Sequence, residues 1–314
     1  MASGQDKTVL TLFALLSRVK KIRKREGNIM TEEMRMESDS IGTMEVPKEA
    51  YYGVQALRAK QNFPITGQSL HPVFICNLVK VKKAAAQSNR NALALPADKA
   101  EAIIRACDEV IRGCFADEFI VDAIQGGAGT SANMNMNEVL ANRANEWMGG
   151  RKGDYSRIHP NDHVNMSQST NDVIPTAGKL TVLELLKPLL AELDGLEREL
   201  RIKAAEFDGI LKMGRTQLQD AVPMRLGQTF HAYATMVKRD YERLKEVRCE
   251  MFTVNLGGTA IGTAINVSPA YLSNVVPALA KITGYPLKQA EDLFDATETV
   301  SYTHLRAHET VLDL

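Results

Sequence analysis

The apolar positions Val182, Leu186, Leu189, Leu193, Leu196 and Leu200 recur at alternating steps of four and three. This heptad-like seam predicts a long helix whose apolar stripe requires partner helices. Pro188 lies inside the seam, and because the pattern continues beyond it a kink is expected rather than an end. A second long helix is expected from near Pro223, with Leu226, Phe230, Tyr233 and Val237 in step, then Tyr241, Leu244 and Met251. Two helices of roughly thirty residues, about 45 Å each, are longer than an ordinary globular domain requires and imply a long bundle shared between subunits. Apolar spacing is also helical from Pro72 to Ala123, broken near Leu95-Pro96, with Pro96-Ala97-Asp98 as a second helix start. Between Pro47 and Gly67 the pattern is irregular and predicts loops and short turns. Few runs alternate between apolar and polar residues, so the expected fold class is mainly α.

Composition fits a globular chain large enough for two domains: 314 residues, 45% of them hydrophobic. Lysine plus arginine (38) balance aspartate plus glutamate (38), so no global charge points to nucleic acid or a membrane surface as a partner. Selection of an anionic ligand must then be local. Cys76, Cys107, Cys114 and Cys249 show neither metal-site spacing nor the density of a disulfide framework, which points to the cytoplasm. The apolar run Val9–Leu16 precedes the basic cluster Lys20, Lys21, Arg23, Lys24 and Arg25, the reverse of a secretory signal, and is too short to span a bilayer. Residues 1–33 are read as a disordered or helical basic extension, or as translated upstream sequence with the start at Met30 or Met34. Arg25-Glu26-Gly27 just before Met30 favours the second reading.

Three segments are dense in small hydroxyl and amide side chains. Gly126-Gly127-Ala128-Gly129-Thr130-Ser131-Ala132-Asn133-Met134-Asn135 combines glycines that permit close backbone approach with residues able to cap a helix and offer N–H groups to an anion. The amides of Asn133, Asn135 and Asn137 cost helix propensity, which is expected where they are used. Without a lysine or a preceding strand, the segment is not a phosphate loop. Ser169-Thr170-Asn171-Asp172 stands before a helix start marked by Pro175, so its donors can converge on one carboxylate. Gly214-Arg215-Thr216-Gln217-Leu218-Gln219-Asp220, closed by Pro223, reads as a polar loop in which Arg215 neutralises Asp220 or holds the loop, leaving Thr216 and Gln217 for a ligand. Each segment alone also fits plain capping or loop hydrogen bonding. His159 and His163 are spaced four apart, but Pro160 between them argues for loop bonding over a metal face. Asn255–Thr263, another glycine-rich stretch, is assigned to close packing or backbone flexibility. Together the donors suit a small, highly polar ligand.

In order, Gly129-Thr130-Ser131-x-Asn133-Met134-Asn135, His159-Pro160-Asn161-Asp162-His163-Val164-Asn165 with Ser169-Thr170-Asn171-Asp172, Gly214-Arg215-Thr216-Gln217-Leu218-Gln219-Asp220 and Leu256–Thr263 resemble the aspartase/fumarase superfamily from about Met36 to Val300. Tyr51-Tyr52-Gly53, Gly126–Ser131 and Gln217-Leu218 look like its aspartate ammonia-lyase branch. Fumarases usually carry Trp-Gly, Thr-Gly-Ser-Gly and His-Thr at the corresponding places. His159 is a fumarase-like feature, so fumarate hydration to L-malate stands as the alternative, and a non-catalytic helical scaffold as a minor one.

The resemblance implies an N-terminal helical domain (34–170) followed by part of a long central helical bundle (171–300). It further implies reversible anti-elimination of ammonia from L-aspartate to fumarate through an aci-carboxylate, without an organic cofactor or metal, in a homotetramer whose sites combine three subunits. Thr130, Ser169 and Thr170 would then hold the β-carboxylate, and Asn171, Thr216 and Gln217 the amino group. The family's base is a serine on a later loop of pattern Gly-Ser-Ser-x-x-Pro-x-Lys-x-Asn, which this chain lacks, so that serine is expected beyond residue 314 and the chain as it stands is expected to be inactive. Residues 301–314 depart from the family pattern and are expected to be a foreign tail, which makes His304 and His308 no metal site.

Overall fold

A computed structural model describes residues 33–298. The expected N-terminal extension, apart from Glu33, and the expected foreign tail lie outside the described residues. Two compact units form: residues up to 178 together with those from 254 onward, and residues 179–253.

The first unit opens with an antiparallel hairpin, β1 (Met34–Ser38) and β2 (Thr43–Pro47), in the register Met34 to Pro47 and Ser38 to Thr43. Helices α1 (Val54–Asn62), α2 (Pro72–Asn91), α3 (Ala97–Ile111) and α4 (Thr130–Trp147) follow. Helix α1 occupies ground where loops and turns were expected. No local side chain caps α1, so the stretch carries no helix-start signal. The break at Leu95-Pro96 is where expected, but the helix ends at Ile111 and not near Ala123, because Gly113 (φ 91°) and Phe115 (φ 63°) take left-handed conformations that stop it. His71 caps α2 by accepting the Val73 N–H at 3.2 Å, with Pro72 in the first turn where its missing N–H is harmless.

Helix α2 packs against α3 and α7 (Pro269–Thr283), and α4 packs against α1 and α3. Their shared interior holds Leu78, Val81, Ile103, Met136, Leu140 and Leu279, all fully enclosed. Short strands β5 (Thr253–Val254) and β6 (Lys288–Gln289) and the helix α8 (Leu293–Glu298) complete the described chain.

The 37-residue helix α5 (Thr170–Glu206) passes out of this unit into the second one. It continues through Pro188 without a break. It starts at Thr170, earlier than the Pro175 signal suggested. Pro175 has no N–H for the carbonyl of Asn171, and that carbonyl instead accepts Asn255 Nδ2 at 3.0 Å. The second unit adds a hairpin, β3 (Leu211–Thr216) with β4 (Gln219–Arg225), and then α6 (Leu226–Glu250). Here the expected polar loop is a strand pair, and Pro223 lies in β4 instead of starting a helix. Pro223 pairs with Met213 beside a register irregularity between Met213 and Arg215, where a missing N–H is tolerated. At its start α6 lies close against the end of α5. A side chain at Gly227 would collide with the Ala204 carbonyl, and the Gly227 N–H donates to the Phe207 carbonyl at 3.0 Å.

Candidate active site

In the first unit the initial turns of α4 and α5 come together. Gly129 (φ 96°) ends the glycine-rich turn, and a Cβ there would meet Ile174 at 2.9 Å, so only a bare backbone lets the two turns approach. This places Thr130 and Asn133, one turn apart on α4, beside Ser169, Thr170 and Asn171. Asn133 Nδ2 donates to Thr170 Oγ1 at 3.2 Å. The Ser169 hydroxyl oxygen accepts the Asn171 N–H at 3.3 Å, and Asn171 Nδ2 donates to the Ala260 carbonyl at 2.6 Å. Two helix N-termini, with their positive dipole ends, meet at one place, the local selection for anions that a neutral chain needs.

Thr130 and Thr170 differ in where their hydrogens go. Thr130 donates its hydroxyl to the Gly127 carbonyl at 2.7 Å, so it must leave that bond to bind a ligand. Thr170 accepts, which leaves its hydrogen to give.

Asp172 fixes the turn from behind. It is fully buried; its Oδ1 accepts the Ser169 N–H at 2.9 Å and its Oδ2 accepts those of Gly257 and Thr259, both at 3.1 Å. Burial pushes its pKa up to about 6, against the pull of these three donors and of Lys82. The 255–263 stretch therefore does more than pack: Asn255, Gly257, Thr259 and Ala260 clamp residues 171 and 172. It does also pack closely, since a Cβ at Gly262 (φ 83°) would overlap Phe294.

Lys82, from α2, is also fully buried and donates to Asn165 Oδ1 at 2.8 Å. Desolvation lowers its pKa to about 7, with Asp172 pulling it back up. Nothing in the helical pattern of 72–91 marks it as different from its neighbours Lys80 and Lys83. Its only sequence signal is a lysine on the apolar face of α2, at i+4 from Leu78.

The other asparagines of α4 divide their roles. Asn135 holds the 118–120 loop, accepting the Ile120 N–H and donating to the Glu118 carbonyl, both at 2.9 Å. Both histidine rings are engaged within the protein: His159 Nδ1 accepts the N–H groups of Asn161 and Asp162, His163 Nδ1 accepts that of His159, and His163 Nε2 meets Lys99 Nζ at 2.9 Å. Among the described residues no group of three or more histidine, cysteine, aspartate and glutamate side chains could hold a metal ion. No described helix is long and apolar enough to cross a membrane.

Thr216 and Gln217 sit in the second unit, at the tip of the β3–β4 hairpin. Gln217 (φ 50°) and Leu218 (φ 64°) form its two-residue turn, both left-handed and neither glycine, and Leu218 is 99% exposed. Arg215 Nε donates to Asp220 Oδ1 at 3.1 Å across the strand pair, as expected, leaving Thr216 and Gln217 exposed.

A family model described as lyase matches residues 42–309. An aspartate ammonia-lyase of a Bacillus species is 52% identical over 277 residues, covering 88% of this chain and 59% of the relative. The aspartate ammonia-lyase of Pseudomonas aeruginosa is 55% identical over 266 residues, covering 84% of this chain and 56% of its own length. The chain thus spans a little under three fifths of these relatives. Among solved structures, a fumarate lyase:delta crystallin from Brucella melitensis bound to cobalt superposes with TM-score 0.81 at 46% identity, covering 88% of this chain and 61% of that one. A class II fumarase from Schistosoma mansoni gives TM-score 0.76 at 34% identity, covering 84% and 59%. The mainly helical fold, the meeting of α4 and α5 at their donor-rich starts and these likenesses together make the chain a member of the lyase family, in the aspartase/fumarase superfamily.

Proposed function

We propose that this chain carries most of the substrate-binding groups of an aspartate ammonia-lyase, which reversibly eliminates ammonia from L-aspartate to give fumarate. The observation that carries the reading is the gathering of Thr130, Ser169, Thr170 and Asn171 at two converging helix starts. The identity above 50% to relatives named aspartate ammonia-lyase supports it.

In the reaction a base removes a Cβ proton and the β-carboxylate takes up the electron pair as a doubly charged aci-carboxylate. The pair then forms the Cα–Cβ double bond while the Cα–N bond breaks and ammonia leaves. Thr130, Ser169 and Thr170 hold the β-carboxylate, and their hydroxyls, with the positive ends of the two helix dipoles, stabilise the extra charge. Each such donor contributes about 3–4 kcal/mol in the transition state. Asn171, Thr216 and Gln217 contact the amino group. By the family resemblance the proton-abstracting group is none of these six side chains but a serine on a further loop. The reading needs no organic cofactor, places the protein in the cytoplasm and makes the working form a homotetramer.

The likeness to the class II fumarase keeps hydration of fumarate as the second reading. Ultraviolet absorbance of fumarate, followed on the intact protein with L-aspartate and separately with L-malate, decides between them. Faster turnover of aspartate is expected; faster turnover of malate replaces the first reading with the second.

A further inference from the structure

Thr170 is the end of a chain of hydrogen bonds that begins at Lys82. The Lys82 ammonium donates to Asn165 Oδ1 at 2.8 Å; the same oxygen accepts Asn133 Nδ2 at 3.2 Å; and the same Asn133 nitrogen donates to Thr170 Oγ1 at 3.2 Å. The polarity of each link follows from the one before. In its ammonium form Lys82 has hydrogens and no lone pair, so Asn165 must then turn its oxygen toward it. That turns Asn165 Nδ2 toward the Gln168 carbonyl, 3.4 Å away. Asn133 meets an oxygen already committed as an acceptor and must present its NH2. Thr170 meets that NH2 and must accept. A hydroxyl has one hydrogen, and with Asn133 donating to the oxygen the Thr170 hydrogen is left for a ligand.

The opposite orientation of Asn133 would reverse this: its oxygen would take the Thr170 hydrogen, and the hydroxyl would offer a ligand only a lone pair, the wrong polarity for a carboxylate. The orientation present is held at a cost, since Asn133 Oδ1 is buried with no hydrogen-bond partner among the described residues. Enclosing an ammonium completely is also costly, and the charge of Asp172 raises its proton affinity there.

We propose that Lys82 is a positioning residue: acting through Asn165 and Asn133, its ammonium sets the direction of this hydrogen-bond chain so that Thr170 offers its O–H to a substrate carboxylate. The proposal rests on the reading of Thr170 as a carboxylate donor.

The test is a double-mutant cycle on the intact protein, with succinate as a non-reacting dicarboxylate probe and calorimetry as the readout. Thr170→Val and Lys82→Met should each weaken succinate binding by about tenfold, the loss expected when one hydrogen bond to a charged group goes. The double variant should bind no more weakly than Thr170→Val alone, because the lysine acts only through that hydroxyl. Lys82→Met with wild-type affinity, or losses that multiply in the double variant, overturns the proposal while leaving Thr170 as a donor. Wild-type protein that ignores succinate, or Thr170→Val that binds as well as wild type, overturns the donor reading and the proposal with it. If Lys82→Met fails to fold, Asn133→Leu takes its place in the same cycle with the same expectations. Nitrogen NMR of isotope-labelled lysine in the unmodified protein should show Lys82 as an ammonium when succinate is bound; a neutral amine there overturns the proposal without any variant.

Discussion

Glu138 in α4 accepts the backbone N–H of Gly53 at 2.9 Å, and so caps a helix that starts 85 residues earlier in the chain. Its two oxygens also take the N–H groups of Gln55 at 2.8 Å and Ala56 at 3.1 Å, and Glu37 takes that of Val54 at 3.0 Å. The orphan donors of α1 are thus satisfied by two carboxylates, one from a hairpin and one from another helix. Glu138→Ala leaves three N–H groups without partners, two of them buried, and should lower stability by about 3 kcal/mol or more. Urea unfolding should show an earlier midpoint at unchanged slope; a loss under about 1 kcal/mol would mean that water replaces the cap.

The same carboxyl gives a pH dependence. Burial raises the Glu138 pKa from 4.5 to about 7, although the three N–H groups pull it down. A carboxyl raised on folding holds its proton more tightly in the folded state. Its contribution is fully present below the unfolded value and is lost as pH rises through the folded one, here between 4.5 and about 7. Glu138→Gln removes that titration. Stability measured against pH should therefore fall less steeply across this window in the variant than in the wild type. Parallel curves would show that the carboxyl titrates alike in both states.

How much of this was legible in the sequence depended on whether the cause was local. The glycine turn before Thr130 and the donor cluster at 169–172 are contiguous, so they stood out. The α5 seam was visible for the same reason. The cap of α1 was not, because Gly53 supplies no side chain and the carboxylates come from residues 37 and 138. Strands β3 and β4 were hidden because nearly all their residues are exposed, so neither strand carries the alternation that one buried face would impose. Lys82 and Asp172 were missed as a buried pair because charge in a sequence reads as surface until a fold encloses it.

Thr130→Val and Thr170→Val test whether these hydroxyls serve chemistry. Both keep volume roughly constant, and each should lower kcat/KM for L-aspartate by about a hundredfold or more with helical content intact. Near-normal turnover in purified variants would remove the residue concerned from the site.

The hairpin tip carries strain that a substitution can release. Leu218 sits at φ 64° with its side chain 99% exposed, so it loses conformational energy and gains no packing. Asparagine tolerates the left-handed region far better. Leu218→Asn should raise stability by about 0.5–1 kcal/mol, seen as a higher thermal midpoint. An unchanged midpoint would show that the turn relaxes at no cost.

The apolar seam on α5 is only partly covered. Leu186 is buried, yet Val182, Leu189 and Leu196 are 41%, 46% and 48% exposed, which leaves alternate members of one apolar row open to solvent along several turns. A row of this kind is a surface for further helices. If those helices come from other copies of the chain, as the tetramer reading requires, a charge on the open row should block assembly and leave the subunit folded. Leu196→Glu puts a carboxylate where leucine is half exposed, so the isolated unit loses little; Leu186→Ala instead removes buried bulk and should cost about 2–5 kcal/mol. Sedimentation or light scattering should show smaller particles for Leu196→Glu at unchanged helical content, and an unchanged native assembly for Leu186→Ala wherever it still folds. If Leu196→Glu leaves particle size as it was, the open row does not join subunits and the tetramer needs another surface.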